Sequence, residues 1–176
     1  MRANTRRIMV RGVPIGGGSP VTVQSMTNTD TRDVTSTVNQ IRALAEAGCE
    51  IFRLAVPNRD AALALVEIRK AVDVPLVADI HFDHRLALLA LEAGVDKLRI
   101  NPGNIGSATS VREVASAARE RGASIRVGVN AGSLKKKILN HYGRPTPEAL
   151  VESAVEEVDL LDDLGFTDVC VSIKSS

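Results

Sequence analysis

Apolar and polar positions along the chain follow two periods, and the change from one to the other recurs. Apolar residues at every third or fourth position, as in residues 34–44, predict amphipathic helices, and short runs rich in β-branched residues predict strands. Four times the helical pattern ends on a glycine shortly before a strand, as expected where a helix ends in a left-handed residue. These glycines are Gly48, Gly94, Gly122 and Gly165.

Six strands are predicted, near residues 22–26, 51–56, 76–80, 97–101, 124–130 and 169–174. Strand, helix and strand repeated in this way is typical of parallel α/β architecture. Right-handed crossovers leave two arrangements open, a doubly wound sheet and a (β/α)8 barrel. Residues 6–20 predict a small hairpin with a glycine-rich turn, and the long connection before the last strand predicts an inserted loop with a short helix.

Two helix starts are also predicted from local patterns. Thr146 followed by Pro147 is typical of a cap and a first helical turn. Ser110 followed by Glu113 predicts a capping box for the helix before the fifth strand.

The number of strands raises a question about the extent of the domain. A complete barrel needs eight strands and about 250 residues, whereas this chain of 176 residues provides six and reaches Ser176 directly after the last one. The pattern therefore fits either an open sheet or part of a longer barrel. For part of a barrel, with open sheet edges, we expect a chain that is marginally stable or prone to aggregate.

Composition argues against several classes of function. A formal net charge of +1 gives little attraction to nucleic acid or anionic membranes, and four aromatic residues in all provide no stacking surface for single strands. No apolar run approaches the ~20 residues of a membrane span, and no signal peptide is indicated. Cys49 and Cys170 are far apart and fit small buried residues better than ligands. We expect a cytoplasmic globular chain without a metal site of its own.

Polar residues concentrate near the carboxyl ends of the predicted strands, where α/β proteins bind their ligands. Side chains two or four positions apart on one strand share a face. If that face is the barrel interior, we expect these side chains to converge. Eight such residues are candidates for a site: Arg53, Asp79, His81, Arg99, Asn101, Arg126, Asn130 and Lys174.

The candidates comprise four cations and one carboxylate, an excess that is costly to bury without an anion. Several arginines around one small site indicate a polyanion such as a diphosphate, because the planar guanidinium group matches phosphate oxygens. Each arginine alone could instead pair with a glutamate on a neighbouring helix. For Asp79 and His81 we expect proton transfer or hydrogen bonding to substrate, with Asp79 fixing the imidazole tautomer. Metal ligation by this pair is the alternative, but no third ligand stands at a matching strand end.

Long stretches of the sequence are similar to one enzyme family. They resemble the bacterial 4-hydroxy-3-methylbut-2-enyl diphosphate synthases, which are iron–sulfur enzymes of the non-mevalonate isoprenoid pathway. The matching stretches, in order, are VQSMTNTDTRD (23–33), VPLVADIHFD (74–83), RINPGNIG (99–106), RVGVNAGSL (126–134), YGRPTPEAL (142–150) and VSIKSS (171–176).

The resemblance implies a fold, a reaction and roles for the candidate residues. The family's N-terminal domain is a TIM barrel whose mouth binds 2-C-methyl-D-erythritol 2,4-cyclodiphosphate, which is opened reductively with electrons from flavodoxin or ferredoxin. By the matching motifs, Asn101 and Asn130 are hydrogen-bonding neighbours of the diphosphate, and Asp79 and His81 lie near the substrate hydroxyls. The implied diphosphate contacts are Arg53, Arg99, Arg126 and Lys174.

The resemblance also implies what lies outside these residues. The family holds a 4Fe-4S cluster with three cysteines and a glutamate of a C-terminal domain, which reaches the barrel mouth of the partner subunit in a homodimer. Cys49 and Cys170 do not correspond to those ligands. We therefore expect residues 1–176 to be the incomplete N-terminal part of the barrel domain, without the iron–sulfur domain, and inactive alone. Two other functions stay open: another phosphate-binding barrel, such as a pterin-dependent synthase, and a non-catalytic anion-binding module.

Overall fold

A computed structural model describes residues 4–101 and 104–175 of the chain. Strands and helices alternate through these residues, and none of the helices is both long and apolar enough to cross a membrane. The strands are β1 (Ile8–Val10), β2 (Val13–Ile15), β3 (Gln24–Met26), β4 (Ile51–Ala55), β5 (Leu76–Asp79), β6 (Lys97–Ile100), β7 (Ser124–Asn130) and β8 (Val169–Lys174). The helices are α1 (Val34–Glu46), α2 (Arg59–Ala71), α3 (His84–Glu92), α4 (Ala108–Glu120), α5 (Lys136–Tyr142) and α6 (Pro147–Asp163).

The six strands from β3 to β8 form one parallel sheet in which each strand lies beside the next one in sequence. A doubly wound sheet reverses its strand order at a switch point, and the described strands show no reversal. This consecutive order is instead that of a (β/α)8 barrel, and the six strands correspond to six of its eight. The doubly wound alternative is therefore wrong, and the predicted barrel arrangement is confirmed.

The bounds of the strands agree closely with the sequence pattern. β7 and β8 have the predicted bounds, whereas β4, β5 and β6 each end one residue before the predicted end, and β3 begins two residues after the predicted start at 22. The chain leaves the ladder early at these three points because loops to the following helices begin there. The predicted inserted helix is α5, which lies between β7 and α6 and follows a 3₁₀ turn at Ala131–Ser133.

The ends of the helices follow the glycine and capping signals, with one exception. The four predicted helix-ending glycines all have positive φ, between 64° and 90°, and Thr146 caps α6 by accepting from the Ala149 N–H. The capping box predicted at Ser110 is wrong. Ser107 is the N-cap of α4, because its hydroxyl oxygen accepts from the Ser110 N–H and Ser110 already lies in the first turn.

The apolar core lies between the sheet and the helices, and a second, smaller cluster closes the amino end of the sheet. There Val10 of the hairpin packs on Ile51 and Val77. The predicted hairpin is confirmed, but its turn falls at Arg11, with φ 52°, and not in the glycine run. The glycines at 16–18 follow β2 and carry the chain from the hairpin toward β3.

Candidate anion-binding site

The strands present alternate side chains to two environments. Phe52, Ala78 and Leu98 belong to the core against the helices, so their neighbours in β4, β5 and β6 face the barrel interior. The ladder places Asp79, Arg99 and Arg126 at the same height on three adjacent strands. Regular parallel pairing therefore brings together charged residues that are 20 and 27 positions apart along the chain.

A carboxylate with two arginines occupies this interior face. Arg53 donates to Asp79 Oδ2 through Nε at 3.0 Å and also through Nη2, and Arg99 Nη1 donates to Asp79 Oδ1 at 3.2 Å. Asp79 is 1% exposed and Arg99 is 7% exposed. The alternative that these two arginines pair with helix glutamates is therefore wrong. The buried cluster carries two positive charges and one negative charge.

The guanidinium group of Arg99 lies directly against the backbone of β7. A Cβ atom placed on Gly128 would be 2.4 Å from Arg99 Nε and 2.7 Å from Nη2, too close for any real contact. Any larger residue at position 128 would require the guanidinium group to leave this position. The sequence analysis missed Gly128, although a lone glycine within a strand is a recognised sign of close approach by another group.

His81 does not form the predicted pair with Asp79. Its Nε2 atom is 3.8 Å from Asp79 Oδ1, which is beyond hydrogen-bonding distance. The hydrogen bond by which Asp79 was predicted to fix the imidazole tautomer is therefore not formed in this structure, and Asp79 accepts from Arg53 and Arg99 instead. The His81 side chain is 48% exposed, and its ring centroid is 5.9 Å from that of Phe82.

A cavity of about 670 Å³ opens at the carboxyl ends of β5, β6 and β7. Four predicted site residues line it, and Arg53 and Asp79 lie behind Arg99 through the contacts given above. Four further residues that the sequence analysis did not single out complete the lining, among them Phe82 with 76% of its surface exposed. The lining residues are His81, Phe82, Arg99, Asn101, Asn104, Asn130, Gly132 and Leu134.

The two remaining predicted cations are placed on the same sheet but apart from this cluster. Arg126 is the ladder partner of Arg99 and, within residues 4–101 and 104–175, takes part in no ion pair. Lys174 is the ladder partner of Asn130 at the end of β8 and is exposed. Neither side chain lines the cavity. The composition of residues 101–104, Asn-Pro-Gly-Asn, predicts a turn, but Pro102 and Gly103 lie outside the described residues.

The described residues offer no set of ligands for a metal ion or cluster. Among them, no three or more His, Cys, Asp or Glu side chains come together in a way that could hold a metal. Cys49 and Cys170 are free thiols that are both half-buried. The chemistry that these residues provide is cationic and hydrogen-bonding, which suits an anion.

Residues 5–176 match the family described as the GcpE TIM-barrel domain. The chain belongs to this family. Two curated relatives match nearly the whole of this chain, and both are named 4-hydroxy-3-methylbut-2-en-1-yl diphosphate synthase (flavodoxin). The protein from Nitratidesulfovibrio vulgaris is 62% identical over 99% of this chain and 45% of its own length. The protein from Caldanaerobacter subterraneus is 57% identical over 100% of this chain and 50% of its own length. The chain thus spans about half the length of these relatives.

Solved structures with the same fold have very different sequences. The 7,8-dihydropteroate synthase from Vibrio fischeri gives a TM-score of 0.67 at 11% identity, covering 95% of this chain and 66% of that one. The dihydropteroate synthase of Yersinia pestis gives 0.65 at 11% identity, covering 94% and 61%. At this level of identity the likeness shows that the GcpE domain shares a barrel fold with these enzymes and shows nothing about its substrate.

Proposed function

We propose that this chain is the substrate-binding barrel portion of a 4-hydroxy-3-methylbut-2-en-1-yl diphosphate synthase, and that its cavity binds 2-C-methyl-D-erythritol 2,4-cyclodiphosphate. Identities of 57–62% to relatives with that enzyme name, over nearly the whole chain, support the proposal. The observation that carries the binding site is the buried cluster of Arg53, Asp79 and Arg99 beside the cavity.

The charge of this cluster favours a diphosphate. Asp79 compensates one of the two guanidinium groups that contact it, and Arg126 adds a further cation one strand away. Unpaired charge out of water is costly, so an anion with two phosphate groups stabilises the occupied site. Arg99 is held in place by Asp79 and Gly128, and a fixed donor loses little entropy when it binds.

The neutral polar residues of the cavity suit the rest of the substrate. Asn101 and Asn130 place amide groups on the wall beside Arg99, and we assign them to the diphosphate and the neighbouring oxygens. His81 stands half-exposed at the rim, where it can exchange a proton with a bound hydroxyl group. Lys174 is a further phosphate contact in this proposal, reaching the mouth from the end of β8.

The reductive step needs electrons that these residues do not supply. The relatives' name includes flavodoxin, and we propose flavodoxin as electron donor, with ferredoxin as the alternative. A 4Fe-4S cluster, when bound, would deliver two electrons, and its ligands would come from residues outside the described ranges, across a homodimer in the cytoplasm. On this proposal the described residues bind and orient the substrate, and alone they do not turn it over.

Calorimetric titration of the full-length protein, of which this chain is the proposed part, with the cyclic diphosphate and with pyrophosphate as a probe tests the proposal. We expect Arg99→Ala and Arg126→Ala each to weaken binding by ~1.5–3 kcal/mol, the loss typical of a hydrogen bond to a charged group. Arg112→Ala, at an exposed position on α4, is the matched control. Unchanged affinity in both site variants, with the fold intact by circular dichroism, would rule out this assignment. A pterin that binds in preference to the diphosphate would favour the alternative of another phosphate-binding barrel, such as a pterin-dependent synthase.

A further inference from the structure

A lysine in the barrel interior has no partner among the described residues. Lys97 is on β6, two positions before Arg99 and on the same face, and it is 2% exposed. Within residues 4–101 and 104–175 it donates no hydrogen bond and forms no ion pair. The residue as a whole is almost inaccessible to solvent, and an ammonium group taken largely out of water without a counter-charge is costly to the folded state. Its burial therefore needs an explanation that core packing does not provide.

A second donor without a partner lies beside it. Ser124 is the ladder partner of Lys97 on β7, it is 1% exposed, and its hydroxyl group has no hydrogen-bond partner. Parallel partners point to the same side of a sheet, so the two side chains lie next to each other. Both can donate to the same acceptor, and none of the described residues supplies one.

The position of this pair relates it to the anion site. Two residues along a strand correspond to about 6–7 Å, so Lys97 and Ser124 lie one layer below Arg99 and Arg126, toward the amino end of the sheet. The flexible four-carbon stem of a lysine spans such a distance. Among the described strand residues, the interior-facing cations are then Arg53, Lys97, Arg99, Arg126 and, at the end of β8, Lys174, against the carboxylate of Asp79.

We propose that Lys97 and Ser124 form the floor of the anion site and donate hydrogen bonds to an oxygen of the innermost phosphate group. The proposal rests on the proposed function for the identity of the anion and on the two unpartnered donors for its position. It makes the site two layers deep, with guanidinium groups at the mouth and an ammonium group with a hydroxyl group beneath them.

This arrangement predicts opposite effects on stability and on binding. Without an anion, the uncompensated charge of Lys97 destabilises the fold, so replacing it with an apolar residue of similar shape should stabilise the empty chain. The same replacement should weaken anion binding. A lysine that only supports the fold would behave differently, because its loss would lower stability and leave binding unchanged.

The test uses Lys97→Met in the full-length protein, of which this chain is the proposed part, and measures its pyrophosphate affinity by calorimetry and its thermal midpoint without ligand. We expect affinity to fall at least about tenfold, which is the loss of one charge-assisted contact, while the midpoint rises. Ser124→Ala should lower affinity about threefold, as for a neutral donor. Lys70→Met is the control, because Lys70 lies on the outer surface of α2 with 67% of its side chain exposed, and it should change neither quantity.

Unchanged affinity for Lys97→Met would overturn the proposal, and so would a lowered midpoint, because that would show a structural partner for the lysine. If Lys97→Met does not fold, Lys97→Gln gives the affinity by the same measurement. The outcome for Arg99→Ala separates the two proposals. A loss of binding in Arg99→Ala but not in the Lys97 variants refutes only the proposal that Lys97 and Ser124 form the floor of the site. Unchanged binding in both refutes the proposed function as well.

Discussion

Asp79 accepts hydrogen bonds from Arg53 and Arg99 through different carboxylate oxygens, so one acidic side chain holds two guanidinium groups in the barrel interior. Arg53 approaches Oδ2 from β4, and Arg99 approaches Oδ1 from β6. The carboxylate is almost inaccessible to solvent, with 1% of its side chain exposed. Asp79 therefore positions both arginines, whereas His81 Nε2 lies 3.8 Å from Oδ1 and is not oriented by a hydrogen bond to it.

Asp79→Asn should destabilise the chain and increase its response to an anion. Removing the carboxylate charge leaves the buried Arg99 and the half-buried Arg53 uncompensated, which we expect to lower the free energy of unfolding by about 3–5 kcal/mol. Pyrophosphate then replaces the missing negative charge, so its addition should raise the thermal midpoint more than in the unmodified chain. Thermal unfolding with and without pyrophosphate measures both effects. Asp163→Asn, at an exposed position on α6, is the control, and a smaller pyrophosphate shift in Asp79→Asn would contradict the prediction.

Gly128→Ala should displace Arg99 without adding or removing a charge. The new methyl group would lie 2.4 Å from Arg99 Nε, so the guanidinium group must move and its bond to Asp79 must lengthen or break. We expect a loss of about 1–3 kcal/mol in the free energy of unfolding, together with weaker pyrophosphate binding. Denaturant unfolding and calorimetry give the two values.

Gly132→Ala is a matched control for that substitution. Gly132 lines the same cavity, yet nothing lies within 4 Å of a Cβ atom placed on it, and its φ is not in the left-handed range. It should keep both stability and affinity. If Gly132→Ala weakens binding as much as Gly128→Ala does, the contact between Gly128 and Arg99 does not explain the effect.

The sequence predicted the parts of the fold that follow from local rules. The helix-ending glycines, the six strands and the cap at Thr146 depend on backbone conformation and on periodicity within a few residues, which the chain shows directly. It also predicted that Arg53, Asp79 and Arg99 share a face. The sequence pattern did not show how the charges pair, because Asp79 and Arg53 are 26 positions apart and only the register of the strands brings them together. Gly128 and Lys97 were missed for the same reason, since their significance depends on side chains of neighbouring strands.

The hairpin at the amino end should depend on a buried carboxylate. Asp96 accepts from Arg69 Nη1 at 3.1 Å, from the Leu76 N–H at 2.8 Å and from Arg11 Nη1 at 3.4 Å. It thereby joins α2 and β5 to the turn of the hairpin. Asp96→Ala removes the acceptor of Arg69 Nη1 and of the Leu76 N–H, and we expect a loss of about 2–4 kcal/mol in the free energy of unfolding.

Asp73 provides the control for that prediction. It also pairs with Arg11, but its side chain is 88% exposed, and an exposed ion pair contributes little. Asp73→Ala should therefore lower stability by less than about 1 kcal/mol in the same denaturant titration. Equal losses for the two variants would show that Arg11, and not the buried contacts of Asp96, holds the hairpin.

The carboxyl group of Asp83 should make the stability of the chain depend on pH at acidic values, below the ordinary pKa of an aspartate. It is the N-cap of α3, directly after His81 and Phe82, and hydrogen bonds from the Arg85 side chain and backbone hold the pKa of its carboxyl group below the usual 3.8. A group whose pKa is lowered by folding contributes stability above its unfolded pKa and loses it as the pH falls through the folded pKa. Asp83→Ala should cost about 1 kcal/mol near pH 7, the usual value of an N-cap, and progressively less below about pH 4.

Ser107→Ala is the control for this prediction. It removes a cap that does not titrate, so its cost in stability should stay constant over this pH range. Unfolding free energies of both variants and the unmodified chain at about pH 7, 4 and 2.5 measure the difference, and a cost for Asp83→Ala that does not change with pH would contradict the assignment of this carboxylate as a charged cap.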